Sequence, residues 1–263
     1  MLGKLLKYDL KWIYKLVSVF YILSVIFSII GRVLVSIENS LVINIIGQVC
    51  LGFAVAMMVS SLINTLMRTW IRFIRNVYKD ESYLTHTLPI KKSTIYLSKF
   101  LSSIIVILTT TIVILLCLII CYYSKENLES LKATLELAAN VYNSKVIWLI
   151  LTIFTVLFLQ ITFILLVGYT GIILGHKSNN NKMVKSIFYS FVIYLLMQAI
   201  SLGILYIVGL MNPEIMNLIN TVNVVDIDII KNIIYIVITT YIVYISIYYI
   251  IGNKLFTKGV NVD

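Results

Sequence analysis

Apolar residues do not alternate with polar ones along this chain; they run on. Six runs stand out, at about Leu16–Ile37, Leu41–Met67, Phe100–Tyr123, Val146–Gly175, Ser186–Met211 and Asn232–Gly252. A helix needs about 20 mostly apolar residues to cross a bilayer core, and each run is that long. A membrane barrel would show short alternating segments with frequent turns instead. Only two prolines interrupt the whole sequence. The pattern predicts an all-α, polytopic integral membrane protein of about six transmembrane helices. No internal repeat or low-complexity linker divides it, so residues 1–263 read as a single transmembrane domain.

Composition agrees. Hydrophobic residues make up 60% of the chain and charged residues 12%, with a mean hydropathy of +1.01. Soluble domains carry about 25% charged residues, so this chain has too little charge to cover a surface in water. The first run is too long for the core of a secretory signal, and no small-residue cleavage site follows it. Cys50, Cys117 and Cys121 all fall in apolar stretches, which reads as packing rather than a disulfide framework.

The net charge of +10 would suggest nucleic acid in a soluble protein. Here its placement matters more. With the N-terminus cytoplasmic, sixteen of the 21 Lys and Arg lie in the N-terminus, the 2–3 loop, the 4–5 loop and the C-terminal tail. Five lie outside: Arg32, Lys125, Lys132, Lys145 and Lys231. Four acids fall inside and seven outside. The positive-inside rule places both termini in the cytoplasm, and topology accounts for the charge without nucleic acid.

Lys4, Lys7, Lys11 and Lys15 recur every three or four residues, with Trp12 and Tyr14 close by. That pattern predicts an interfacial N-terminal helix over 1–15, lying in the headgroup layer of the lipid bilayer, in preference to a simple basic flank on the first span. Outside, residues 124–145 carry leucines at 128, 131 and 135 among Lys and Glu, and read as an amphipathic helix. Residues 212–231 are too apolar for a free loop and read as a re-entrant or interfacial segment.

Candidate chemistry is sparse. There is no GxxxxGK[ST] loop for ATP, and no HExxH or CxxC. No acid or cysteine is spaced to complete a metal site with His86 and His176. The span centres hold no ionisable group, which argues against proton-coupled transport and intramembrane hydrolysis. Asn44, Gln48, Gln160 and Gln198 are neutral polar residues at depth. They suit helix-to-helix hydrogen bonding or the lining of a translocation path. Gly168, Gly171 and Gly175 favour close packing of span 4. Tyr241, Tyr244 and Tyr248 form a stripe on span 6 that reads as packing or a subunit interface.

The 2–3 loop is the most informative segment. Arg68, Arg72 and Arg75 continue the helical spacing beyond span 2, and the helix should break near Lys79-Asp80. Pro89 disfavours helical geometry at Leu88, and Ser93 or Thr94 could cap the next helix. Periodicity alone does not decide between a solvated basic loop and a compact cytoplasmic element that receives force from a partner.

The run Tyr78-Lys79-Asp80-Glu81-Ser82-Tyr83-Leu84-Thr85-His86-Thr87-Leu88-Pro89 resembles a stretch of bacterial type-2 ABC exporter permeases. There it reads approximately Tyr-x-Asp-Glu-Gly-Tyr-Leu-Thr-x-Thr-Leu-Pro, followed by basic residues and a Ser-Lys pair. Lys91, Lys92, Ser98 and Lys99 occupy those places here, while Ser82 departs from the glycine. The opening basic helix, Met1 to Trp12, looks like the same family. The resemblance implies the membrane-spanning half of an exporter in the plasma membrane, paired with a second permease subunit. Separate ATPase subunits would hold ATP and magnesium. It implies that Asp80 to Pro89 dock on the ATPase and that the helix bearing Lys4 to Lys15 contacts it too. Rival classes are an immunity or sensory protein that sequesters a peptide, a carrier or channel without ATP coupling, and a membrane enzyme. No catalytic constellation supports the last.

Overall fold

A computed structural model describes residues 2–37, 40–79, 81–124, 129–130, 132–136, 139, 145–211 and 227–259, the side chains of 227–229 excepted. The described residues are helical and contain no strand. The long helices are α1 (Leu2–Val35), α2 (Leu41–Val77), α4 (Lys92–Tyr122), α5 (Val146–His176), α6 (Lys182–Met211) and α7 (Ile227–Lys258). A short helix, α3 (Ser82–Thr87), lies between α2 and α4. All six long helices have the length and hydropathy to cross a membrane. The protein is therefore a polytopic all-α membrane protein.

The N-terminal basic stretch is helical and continuous with the first long helix. α1 runs unbroken from Leu2 to Val35, because neither Gly nor Pro falls between Lys4 and Ile30. At 1.5 Å rise per residue, its 34 residues exceed a bilayer core of about 30 Å. α4 likewise starts earlier than the capping residues suggest. Lys91 is its N-cap, so Ser93 and Thr94 lie inside the first turn. Of residues 124–145, the described 132–136 segment is helical and carries an exposed Lys132–Glu136 pair at 3.8 Å. Residues 212–226 lie outside the described residues, and 227–231 form the start of α7.

Contacts gather the chain into two compact units, one over Met1–Leu131 and one over Lys132–Asn261. In the first, α1 and α2 form an antiparallel pair, and α4 packs against both. The buried stripe of α1 is Asp9, Ile13, Val17, Ser24, Ser28 and Gly31, a spacing of three, four or seven that lies on one helix face. The α1–α2 pair closes tightly at Gly31 and Gly47. A Cβ added there would lie 2.9 Å from Leu51 N and 2.8 Å from Val35 N. Beside them, Ala54, Met58, Cys117 and Cys121 form one buried cluster, and the cysteines are free thiols.

Hydroxyls tie the three helices together. Thr110 Oγ1 donates to Val106 O at 2.7 Å. It therefore accepts from Tyr21 on α1 at 2.5 Å and from Thr65 on α2 at 2.8 Å, which uses both of its lone pairs. Tyr14, about two turns before Tyr21 on α1, bonds the adjacent Thr109 at 2.7 Å.

In the second unit, α5 and α6 form a hairpin around Gly171 and Gly175, the pair expected to pack closely. The turn is made with Asn181 at φ 54°, a left-handed conformation that Asn tolerates better than most residues. The tyrosine stripe of α7 packs within this chain. Tyr241, Tyr244 and Tyr248 surround the buried Phe163 with ring centroids 5.9, 5.5 and 6.0 Å away, and Tyr244 also bonds Ser201 at 3.2 Å.

A Cβ at position 175 would lie 2.5 Å from Ser186 N, where the obstacle is main chain that cannot swing aside. Gly175→Ala should therefore destabilise the protein by about 1–3 kcal/mol, read as unfolding in mixed micelles. Gly52→Ala, with nothing nearby, should be neutral or stabilising by up to about 1 kcal/mol.

Candidate functional site: a buried ion-pair knot beneath the short helix

The basic ends of α1, α2 and α4 meet at one carboxylate. Asp9 is 1% exposed. Its Oδ1 accepts from Arg72 Nε at 2.8 Å and from Lys99 Nζ at 2.6 Å, and its Oδ2 accepts from Ser98 Oγ at 3.4 Å. Three helices thus meet at a single buried charge group, α1 with Asp9, α2 with Arg72 and α4 with Ser98 and Lys99. The same guanidinium continues outward: Arg72 Nη1 donates to Glu81 Oε2 at 2.6 Å. Asn76 Nδ2 donates to that oxygen at 2.9 Å. Two carboxylates, one guanidinium and one ammonium leave the knot locally neutral.

The knot seats α3. Glu81 stands at its N-cap. Its N–H donates to Arg75 O at 3.2 Å, and its carbonyl accepts from Thr85 N at 3.0 Å and Thr85 Oγ1 at 2.9 Å. At the other end, His86 Nε2 donates to Val77 O at 3.1 Å. Below the turn, Tyr78 is buried and stacks edge-on to Phe73 at 6.2 Å, while Phe73 meets Tyr96 at 6.3 Å. Leu88 has φ −63° and ψ 135°, the extended geometry that a following proline imposes. A helix this short has little stability alone, so these bonds hold it.

The face turned away from α2 is bare. Ser82 and Thr85 are buried, while Tyr83 is 82% and Leu84 73% exposed. Thr87, Leu88 and Pro89 are also exposed. Asp80, expected to begin the docking segment, lies outside the described residues.

Electrostatics favour an ionised Glu81. Partial burial pushes its carboxyl up, but the Asn76 hydrogen bond and the charges of Arg72 and Arg75 outweigh that and hold it below the ordinary glutamate value. The three arginines of α2 also share one indole. Arg68, Arg72 and Arg75 place their guanidinium carbons 5.3, 5.5 and 5.8 Å from the centre of the Trp12 ring. This is within cation–π range.

Lys4, Lys7, Lys11 and Lys15 are all exposed on α1, as the stripe implied. The polar residues proposed for a path fall in both units. Asn44 and Gln48 are a turn apart on α2, with Gln48 Nε2 donating to Asn44 Oδ1 at 3.4 Å. Gln160 is half-buried on α5. Gln198 lines a groove of about 230 Å³ between α6 and α7, with Ser201, Thr240, Tyr241 and branched aliphatic residues around it.

Sequence reasoning passed over Asp9. Its signal was present: it is the only acid before Glu38, and it stands in register with Ile13 and Val17 on an apolar face. Lys99 appeared only through the Ser-Lys resemblance. No known family model, curated protein or solved structure matches this chain.

Removing Asp9 takes from the buried Lys99 its carboxylate and from Arg72 one of its two. Asp9→Asn should cost about 3–5 kcal/mol, measured by reversible unfolding in mixed micelles. Glu81 gives a pH signature. Because its folded pKa is depressed, its contribution to seating α3 is complete above the ordinary glutamate value and is lost as pH falls through the lower, folded value. Infrared titration should show a protonated-carboxyl band, absent in Glu81→Gln, that rises only at more acid pH than for a free glutamate.

Proposed function

We propose that this chain is the membrane-spanning subunit of an ATP-driven exporter of the type-2 ABC kind, in a bacterial plasma membrane. Two such subunits, alike or homologous, pair and rest on separate ATPase subunits that hold ATP and magnesium. The substrate is apolar or amphipathic: a peptide, a lipid-like molecule or a drug.

One observation carries the reading. A six-residue helix is pinned to α2 through Glu81, whose partner Arg72 also holds the buried Asp9, yet it presents Tyr83 and Leu84 outward. Water-exposed aromatic and aliphatic side chains on a rigid short helix are what a docking surface requires. A free basic loop has no reason to be anchored so firmly. The resemblance over Tyr78 to Pro89 supports the same assignment. Closing of the ATPases would push α3, and Glu81 would pass that push through Arg72 to Asp9 and so into α1 and α4. Such coupling works only if the docked partner favours one of two arrangements of these helices. Gln198 and its groove suit an amphipathic substrate, and Asn44, Gln48 and Gln160 remain candidates for the path.

Co-expression with ABC-type ATPase subunits from the same organism, followed by co-purification in detergent, tests the proposal. Tyr83→Ala with Leu84→Ala should abolish capture of the ATPase while leaving thermal stability unchanged, since neither side chain is buried. Full capture by that variant, or no ATPase bound by the wild type, would favour a protein that sequesters a peptide or carries a solute without ATP.

A further inference from the structure

The knot consumes only part of the positive charge around it. Residues 1–15 and 68–99 hold eleven Lys and Arg against three acids. Asp9 and Glu81 are engaged by Arg72 and Lys99. Lys4, Lys11, Lys15 and Arg68 have no acidic partner among the described residues.

Their arrangement is specific. At about 100° per residue, Tyr8, Lys15, Lys4 and Lys11 lie within about 100° to one side of Trp12, and Asp9 and Ile13 lie to the other. Trp12 therefore stands at the edge between the buried stripe of α1 and an exposed one, with Arg68 of α2 over its ring at 5.3 Å. The exposed stripe then changes character at one point. Up to Lys15 it is cationic. Beyond Lys15 the same face continues with Val19, Ile22, Ile26, Ile29 and Val33, which are 43–58% exposed as a group with Ile30. Lys15 precedes the first apolar run and Arg68 follows the second, which puts both at the boundary where Trp side chains settle.

We propose that Trp12, Arg68, Lys11 and Lys15 form a binding site for the headgroup of an anionic phospholipid. One acyl chain lies along Val19, Ile22, Ile26 and Val33. A free anion would use the cations but gain nothing from the aliphatic stripe. A zwitterionic lipid would use the stripe but carries an ammonium that the cations repel. A phospholipid with net negative charge uses both. The site rests on the membrane reading alone and stands or falls independently of ATPase docking.

The test uses the full chain in detergent micelles, titrated with phosphatidylglycerol, phosphatidylcholine or inorganic phosphate, with bound lipid counted by native mass spectrometry. The wild type should retain phosphatidylglycerol over phosphatidylcholine. Each Lys or Arg near an anionic surface contributes about 1 kcal/mol, so Lys11→Gln with Lys15→Gln should weaken retention at least about tenfold. Both lysines are exposed, so this variant keeps its fold even if Arg68→Gln does not. Lys254→Gln with Lys258→Gln, equally exposed in the second unit, should bind as the wild type does. Equal loss in that control, equal retention of phosphatidylcholine, or displacement of the lipid by equimolar phosphate would each overturn the proposal.

Discussion

The carboxylate of Asp9 is the constraint on which the first unit turns. A charge buried to 1% exposure is tolerated only with compensation of its own kind, and Asp9 receives it from two other helices at 2.8 and 2.6 Å. α1, α2 and α4 cannot slide or rotate independently at this end without stranding a charge. Apolar packing between membrane helices supplies no such register, because lipid tails are as apolar as leucine. Away from the knot the same three helices rely on hydroxyls that share Thr110 and on close approach at Gly31 and Gly47. Polar bonds and small residues set the register, and aliphatic side chains fill the space.

Arg72 turns this structural device into one with a consequence for function. Its Nε faces Asp9 and its Nη1 faces Glu81, so one planar side chain bridges the buried centre and the seat of α3. The fork geometry of a guanidinium permits this, and the single ammonium of lysine does not. Force applied to α3 would meet a rigid chain of charge-assisted bonds. That mechanical property, together with the exposed Tyr83 and Leu84, is what supports the docking role proposed for this element.

Much of the architecture was legible in the sequence. The six runs became six helices, since twenty apolar residues without proline have few other options in lipid. Gly171 with Gly175 and the tyrosine stripe of α7 packed as their spacing implied. The basic N-terminal stretch is continuous with α1, because amphipathic pattern reveals which face is polar but not whether a helix stops. Nothing between Lys4 and Ile30 stops this one. Asp9 was hidden for a different reason. Set among lysines at 7 and 11, it looked like one more solvated charge, and only its register with Ile13 and Val17 marked it as buried. Its partners lie 63 and 90 residues away, a separation that no local pattern spans.

The most direct measurement is hydrogen exchange across Ser82–Thr87 in the wild type and in Asp9→Asn, under native conditions, with the α5–α6 hairpin as internal reference. Asp9 touches no atom of α3 in the bonds described, and it reaches that helix through Arg72. If the shared guanidinium joins the centre to the short helix, exchange over 82–87 should accelerate in the variant while the hairpin stays unchanged. Unaltered exchange over 82–87 in a variant that has lost its buried ion pair would contradict that link.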